Sequence, residues 1–173
     1  MIRSLLSRPL LALALLNCVA AVGAVSAAWI FQWIGYEPCH LCLDQRIPYY
    51  IGVPLMLIAI FSEWREGPKW LARAALVLVA IAFLAGAVIA VYQAGAQWGY
   101  WKLIEDCTAD TSFSMPTQAG QLLGNLDKAH VVDCTKITWS FLGLSFAGWN
   151  AIVSTGLTLL SLFGGLLLPR RLR

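Results

Sequence analysis

Charged residues are scarce in this chain. Asp, Glu, Lys and Arg make up 12% of the 173 residues, whereas an ordinary soluble domain carries about 25%. Apolar residues reach 60%, and the mean hydropathy is +0.72. This balance excludes a soluble globular domain and indicates a protein that crosses the membrane several times. The basic residues are also too few and too scattered to form a nucleic-acid-binding face, so no nucleic acid is expected as a partner.

Histidine is nearly absent as well, with only His40 and His130 in the chain. Neither histidine stands at the spacing from the cysteines that a zinc site usually shows, so no metal is expected. The chain shows no haem, flavin or nucleotide signature. No alternation of strands and helices surrounds the cysteines, which excludes a thioredoxin-like domain. Any redox chemistry must therefore come from the cysteines and from a cofactor that needs no large binding motif.

Long runs with little charge divide the chain into four predicted membrane-spanning helices, because a spanning helix needs about 20 mainly apolar residues. The predicted helices cover residues 10–32, 43–62, 73–97 and 146–168, with outer loops at 33–42 and 98–145. A cleaved signal peptide is the alternative for the first run, but that run exceeds a signal core and further spans follow. We expect an all-α four-helix bundle forming one integral-membrane domain over residues 1–173.

Lys and Arg residues predict the orientation of this bundle. Eight of the 12 fall on one side of the predicted membrane and four on the other: Arg3, Arg8, Arg65, Lys69, Arg73, Arg170, Arg171 and Arg173 against Arg46, Lys102, Lys128 and Lys136. Cytoplasmic loops carry the excess of Lys and Arg. Both termini are therefore expected in the cytoplasm and both long loops outside it, on the periplasmic side of an inner membrane.

Four of the five cysteines lie in the predicted outer loops, namely Cys39, Cys42, Cys107 and Cys134. Disulfides persist outside the cytoplasm, so the natural pairs are Cys39 with Cys42 and Cys107 with Cys134, although four cysteines allow three connectivities. A structural staple would explain the second pair alone. It does not explain a Cys-x-x-Cys unit, which is typical of redox or metal chemistry. The fifth cysteine, Cys18, is expected to pack as a small hydrophobe.

Cys42 is the candidate reactive thiolate. It is expected at the start of the second membrane helix, where the helix dipole favours an anion, and Arg46 follows four residues later on the same helical face. Electrons delivered here need an acceptor. A lipid-soluble quinone requires only an apolar slot and a polar contact to its carbonyl, which Arg46 and Gln45 can supply.

These residues carry a resemblance to a known family. The pattern Cys-x-Leu-Cys-x-x-Gln-Arg-x-Pro at residues 39–48, and Trp139-x-Phe141-Leu142-Gly143-Leu144 after the last cysteine, resemble the DsbB-type disulfide-bond formation proteins. The resemblance covers nearly the whole chain. It implies an inner-membrane thiol oxidase that reduces ubiquinone or menaquinone from the membrane pool.

The resemblance also implies the order of reaction. A reduced periplasmic DsbA-like thioredoxin-fold partner attacks Cys107 and displaces Cys134, which in turn attacks Cys39 and frees Cys42 next to the quinone. One residue departs from the family pattern. Many members have a histidine near the outer end of the third helix, whereas this chain has Gln93 there, which can donate a hydrogen bond but no proton.

Two further hypotheses remain open at this point. One is a specialised DsbI-like thiol oxidase with a dedicated partner. The other is a non-catalytic membrane subunit whose outer loop is merely stapled by a disulfide, in which case the pair formed by Cys39 and Cys42 is dispensable.

Overall fold

The computed structural model describes residues 8–103 and 134–167. Its elements, in chain order, are α1 (Pro9–Trp33), the short α2 (His40–Asp44), α3 (Ile47–Trp64), α4 (Lys69–Gln97), strands β1 (Ser140–Phe141) and β2 (Leu144–Ser145), and α5 (Phe146–Leu162), which continues as the π-helical turn Phe163–Leu167. Four segments are long and apolar enough to cross a membrane: Pro9–Trp33, His40–Trp64, Lys69–Gln97 and Phe146–Leu166. The predicted bundle of four membrane-spanning helices is confirmed.

Small residues let these helices approach closely. One core layer is dominated by alanines and is made of Leu10, Ala14, Ala59, Ala72, Ala75 and Leu76. A second layer is made of Cys18, Ala21, Tyr49, Met56, Val79, Phe83 and Leu157. Many large apolar side chains point outward instead, such as Leu84 and Leu159, as a lipid-facing surface requires. Cys18 packs in the second layer, as expected from the sequence.

The second spanning segment is not one continuous helix. The chain turns at Gln45 and Arg46, between α2 and α3, so Cys42 lies in a separate short helix and not at the start of a long one. Pro48 gives the physical reason. It has no N–H to donate to the carbonyl of Asp44, so the α-helical ladder is interrupted there. The Arg46 N–H bonds instead to the carbonyl of Leu43 at 2.9 Å.

Helix α4 begins at Lys69, earlier than the predicted residue 73, because Pro68 precedes it and the charged residues Lys69 and Arg73 extend the helix beyond its apolar part.

At the other end of the bundle, β1 and β2 pair as a tight antiparallel hairpin, with Phe141 opposite Leu144. The two-residue turn places both Leu142 and Gly143 at positive φ, 53° and 80°, as such turns require. This hairpin leads directly into α5, whose first turn is capped by the Ser145 hydroxyl accepting from the Gly148 N–H at 3.3 Å.

Candidate functional site

Three cysteines meet at the hairpin end of the bundle. The Cys39 and Cys42 sulfurs lie 2.6 Å apart, on the first turn of α2. Cys134, which precedes the hairpin, hydrogen-bonds to Cys39. Cys39 and Cys134 are almost fully buried, 5% and 1% exposed, while Cys42 is partly accessible. Cys107 lies outside the described residues, so its predicted pairing with Cys134 stays a prediction, and so does the disulfide between Cys39 and Cys42, which are thiols in this structure.

The two thiols of the Cys-x-x-Cys unit are not equivalent. The hydrogen bond to the Cys42 sulfur, reinforced by burial, raises the pKa of Cys39 far above that of an ordinary thiol. This direction favours the protonated form of Cys39. A negative charge on the reduced pair is therefore expected on Cys42, and the role of Cys42 as the reactive thiolate stays a prediction.

An apolar pocket of about 460 Å³ opens between α1, α3 and α5, with Cys42 in its wall. Its lining is mainly small or aromatic: Ala24, Ala27, Ala28, Phe31, Tyr36, Pro38, Trp139, Phe141, Phe146, Ala147, Trp149 and Val153. The polar groups in its wall include Gln45, Arg46, Tyr49 and Asn150. This combination of an apolar cleft with a few polar groups is typical of a small-molecule site.

Arg46 is held in this wall by neutral partners. Its guanidinium donates to Gln32 Oε1 at 2.7 Å and to the carbonyl of Ala28 at 3.4 Å, and lies 5.3 Å from the centre of the Trp29 ring. No carboxylate pairs with Arg46 in the described part of the chain. The side chain is nevertheless only 8% exposed. A buried guanidinium without a counter-ion favours a ligand oxygen or an anionic sulfur close to it.

A group of packed aromatic rings forms part of the pocket wall. The Trp139 and Phe146 rings stack with their centroids 4.5 Å apart, and Phe31 packs against both at 5.2 and 5.0 Å. Trp139 and Phe146 come from either side of the hairpin, so the hairpin positions one wall of the pocket. Planar aromatic walls suit a planar ligand.

Gln93 lies behind the dithiol, and the pocket wall does not include it. Its amide nitrogen is 3.2 Å from the Cys39 sulfur and 3.5 Å from the Cys42 sulfur. Its amide oxygen accepts from Gln45 Nε2 at 2.6 Å. The two glutamines predicted as cofactor contacts therefore take different positions, Gln45 in the pocket wall and Gln93 against the sulfurs.

A small cavity of about 30 Å³ adjoins the three sulfurs, lined by Gln93, Gln97 and Lys136 among others. Gln97 Nε2 donates to the carbonyl of Cys134 at 3.2 Å, whereas its Oε1 is buried without a partner. The cavity has room for one water molecule. Within residues 8–103 and 134–167, no group of three or more His, Cys, Asp or Glu side chains could hold a metal ion.

Sequence reasoning missed two polar residues of the site, Tyr49 and Asn150. Both are polar side chains within membrane-spanning helices, a setting that marks a functional site by default. Tyr49 also lies four residues after Gln45, on the same side of the chain. Their meeting across α3 and α5 could not be predicted from either helix alone.

A partly buried Cys-x-x-Cys unit beside an apolar pocket, in a bundle of membrane-spanning helices, is typical of membrane thiol-disulfide proteins. The family profile described as "Disulfide bond formation protein DsbB" matches residues 8–164. The chain therefore belongs to the DsbB family.

Curated relatives agree with this assignment. The chain is 32% identical to "Disulfide bond formation protein B 2" of Pseudomonas syringae pv. syringae, with 91% of this chain and 87% of the relative covered. It is 32% identical to "Disulfide bond formation protein B" of Polaromonas naphthalenivorans, with 92% of each covered. It is 35% identical to the protein of the same name from Saccharophagus degradans, with 88% of this chain and 91% of the relative covered. No solved structure is significantly similar to the chain.

Proposed function

We propose that this protein oxidises a periplasmic DsbA-like thioredoxin-fold partner and passes the electrons to a quinone of the bacterial inner membrane. The observation that carries the proposal is the position of the Cys39–Cys42 pair. Cys39 contacts Cys134 on one side, and Cys42 lines an apolar pocket beside Arg46 on the other. Electrons can enter through one sulfur and leave through the other.

The proposed relay begins at the outer loop. A partner thiolate attacks Cys107, so that a partner–Cys107 bond forms and Cys134 leaves as a thiolate. Cys134 then attacks Cys39, which breaks the Cys39–Cys42 bond and leaves Cys42 as a thiolate. The second partner thiol resolves the mixed disulfide and releases an oxidised partner. Cys107 re-forms its bond to Cys134, which frees Cys39 and leaves the reduced pair at the pocket.

The pocket residues fit a quinone. The aromatic and alanine walls match a planar ring with an apolar tail, and Arg46 and Gln45 can donate hydrogen bonds to ring carbonyls. A bound quinone supplies the two-electron, two-proton acceptor that re-forms the Cys39–Cys42 disulfide. Arg46 holds positive charge beside the Cys42 thiolate, and the aromatic walls of the pocket limit water.

The side of the membrane follows from charge. The predicted cytoplasmic segments hold eight of the 12 Lys and Arg residues, and four of the five cysteines fall on the predicted opposite side. The oxidising compartment there keeps the disulfides from being reduced by cytosolic thiols. A partner such as DsbA is itself a strong oxidant, with a reduction potential of about −120 mV, whereas structural disulfides lie below about −300 mV. To oxidise such a partner, the disulfides of this protein must be far more easily reduced than structural disulfides.

The test is partner-dependent quinone reduction. Purified protein is mixed with a reduced DsbA-like partner and ubiquinone or menaquinone, and the quinone absorbance is followed. We expect turnover by the wild type, none by Cys42→Ser, and none by Cys107→Ala, which still binds quinone. A wild type that oxidises no partner would overturn the proposal and favour a stapled structural subunit, since that alternative makes the Cys39–Cys42 pair dispensable.

A further inference from the structure

A continuous chain of hydrogen bonds runs from the dithiol across the bundle to Tyr49. The Tyr49 hydroxyl donates to Asn150 Oδ1, Asn150 Nδ2 donates to Gln45 Oε1, and Gln45 Nε2 donates to Gln93 Oε1. Each of these three distances is 2.6 Å. Gln93 Nε2 then faces the sulfurs of Cys39 and Cys42. Tyr49, Gln45 and Gln93 are 3%, 5% and 1% exposed, so water does not compete for these groups.

The chain has a direction, because every carboxamide has one donor end and one acceptor end. If the amide of Asn150 is fixed, Gln45 must point its NH₂ at Gln93, and Gln93 must point its own NH₂ at the sulfurs. Flipping any one amide would set two oxygens or two NH₂ groups against each other. The orientation of Gln93 is therefore coupled to the orientations of Gln45 and Asn150 further along the chain.

Two anchors favour this direction. At one end the Tyr49 hydroxyl, which can donate or accept, donates its proton to Asn150 Oδ1. At the other end the carbonyl oxygen of Cys134, which can only accept, lies 3.5 Å from Gln93 Nε2. Ser154 supports the first anchor, since its hydroxyl is 3.5 Å from Asn150 Oδ1 and 3.4 Å from the Tyr49 hydroxyl. In this orientation Gln93 Nε2 lies 3.2 and 3.5 Å from the Cys39 and Cys42 sulfurs, whereas its Oε1 is further away, 3.9 Å from the Cys42 sulfur.

We propose that Tyr49 is a positioning residue for the dithiol, and that its hydroxyl, acting through Asn150 and Gln45, keeps the Gln93 N–H directed at the Cys42 sulfur. A thiolate accepts hydrogen bonds and is stabilised by this donor. The reverse amide orientation would place the Gln93 oxygen against the thiolate and destabilise it. Tyr49 thus controls thiolate reactivity without touching either sulfur.

The other charged groups around the sulfurs stay in place in this scheme. Arg46 and Glu37 share the large pocket with Cys42, and Lys136 shares the small cavity with both sulfurs. His40 and Asp44, on the same short helix, pair with each other at 3.3 Å. None of these groups belongs to the chain from Tyr49 to Gln93, so substitutions in the chain leave the charges near Cys42 unchanged.

The test is the pH profile of Cys42 alkylation in the fully reduced protein, measured with iodoacetamide and read site by site by mass spectrometry. It rests on the proposed function only in taking Cys42 as the reacting thiolate, and it needs neither partner nor quinone. The variants are Tyr49→Phe, Tyr49→Phe with Ser154→Ala, and Gln93→Leu. Tyr50→Phe is the matched control. Tyr50 follows Tyr49 in α3, but its hydroxyl accepts a hydrogen bond from Trp29 of α1 and is not part of the chain to Gln93.

We expect the alkylation midpoint to move to higher pH by roughly half a unit in Tyr49→Phe and by about one unit in Gln93→Leu, the size of one lost hydrogen bond. The loss of Ser154 should enlarge the Tyr49→Phe shift, and Tyr50→Phe should leave the midpoint unchanged. In the Gln93→Leu background, Tyr49→Phe should add nothing, because the residue through which it acts is gone. If Tyr49→Phe fails to fold, Asn150→Leu interrupts the same chain one bond further on.

An unchanged midpoint in Tyr49→Phe would overturn the proposal. So would an equal shift in Tyr50→Phe, or a Tyr49→Phe shift that persists in full on top of Gln93→Leu, since both would indicate a general structural effect. If the variants show the expected shifts but the wild type reduces no quinone, the proposed function fails and the role of Tyr49 stands.

Discussion

Removing the Arg46 guanidinium should weaken quinone binding far more than it weakens the fold. In the pocket wall Arg46 is buried, has only neutral partners among residues 8–103 and 134–167, and lies over the Trp29 ring at 5.3 Å. A hydrogen bond from a charged donor contributes about 1.5–3 kcal/mol. At about 1.4 kcal/mol per factor of ten, Arg46→Ala is expected to raise the KM for quinone by roughly ten- to a hundredfold.

The assay is steady-state quinone reduction at saturating reduced partner, with the quinone concentration varied. Arg46→Lys keeps the charge but loses the planar fork, so its KM should fall between those of the wild type and Arg46→Ala. Arg65→Ala is the matched control, because Arg65 also lies over an aromatic ring, 5.1 Å from Phe61, at the opposite end of α3. A quinone KM within twofold of the wild type in Arg46→Ala, or a similar rise in Arg65→Ala, would refute this reasoning.

Three further predictions concern packing and thiol reactivity. Gly52→Ala should lower the midpoint of thermal unfolding in detergent, because the added Cβ would lie 2.7 Å from the buried Phe83 ring. Overpacking of this kind costs about 1–3 kcal/mol. Gly23→Ala is the control and should not lower the midpoint, since its Cβ would meet nothing within 4 Å. Cys18→Ala should retain full quinone turnover, since Cys18 only packs in the core. In the reduced protein Cys39 should resist alkylation at pH 8 while Cys42 reacts. The reason is that the hydrogen bond to Cys42 and burial raise the pKa of Cys39.

The helices were predictable because hydropathy alone defines a membrane-spanning segment. The break before α3 was not predicted, although its cause is local: Pro48 removes one donor, and the ladder stops at Asp44. The hairpin at Phe141 and Leu144 is a two-residue pairing with a positive φ at Leu142. So short a ladder leaves no alternating pattern in the sequence, which is why the stretch was predicted only as part of the outer loop 98–145.

Within the site, local chemistry was readable and long-range contacts were not. Cys42, Gln45 and Arg46 are close in sequence, so their shared pocket follows from their spacing even though the helix between them is interrupted. Gln93 was predicted as a cofactor contact, and the structure places it against the sulfurs, because its position depends on how α4 packs behind α2. Asn150 carries no local signal of its role, since a single polar residue in an apolar helix does not reveal which helix it meets.

The order of the cysteines is tested most directly by following the disulfides themselves. Oxidised wild-type protein, freed of quinone, is mixed under anaerobic conditions with a reduced partner whose second active-site cysteine has been replaced, quenched in acid and mapped by mass spectrometry. Since this partner cannot resolve the mixed disulfide, the relay should stop with a Cys39–Cys134 disulfide, a partner–Cys107 disulfide and a free Cys42. Finding Cys39 still paired with Cys42 while Cys107 is joined to the partner would contradict the transfer from Cys134 to Cys39.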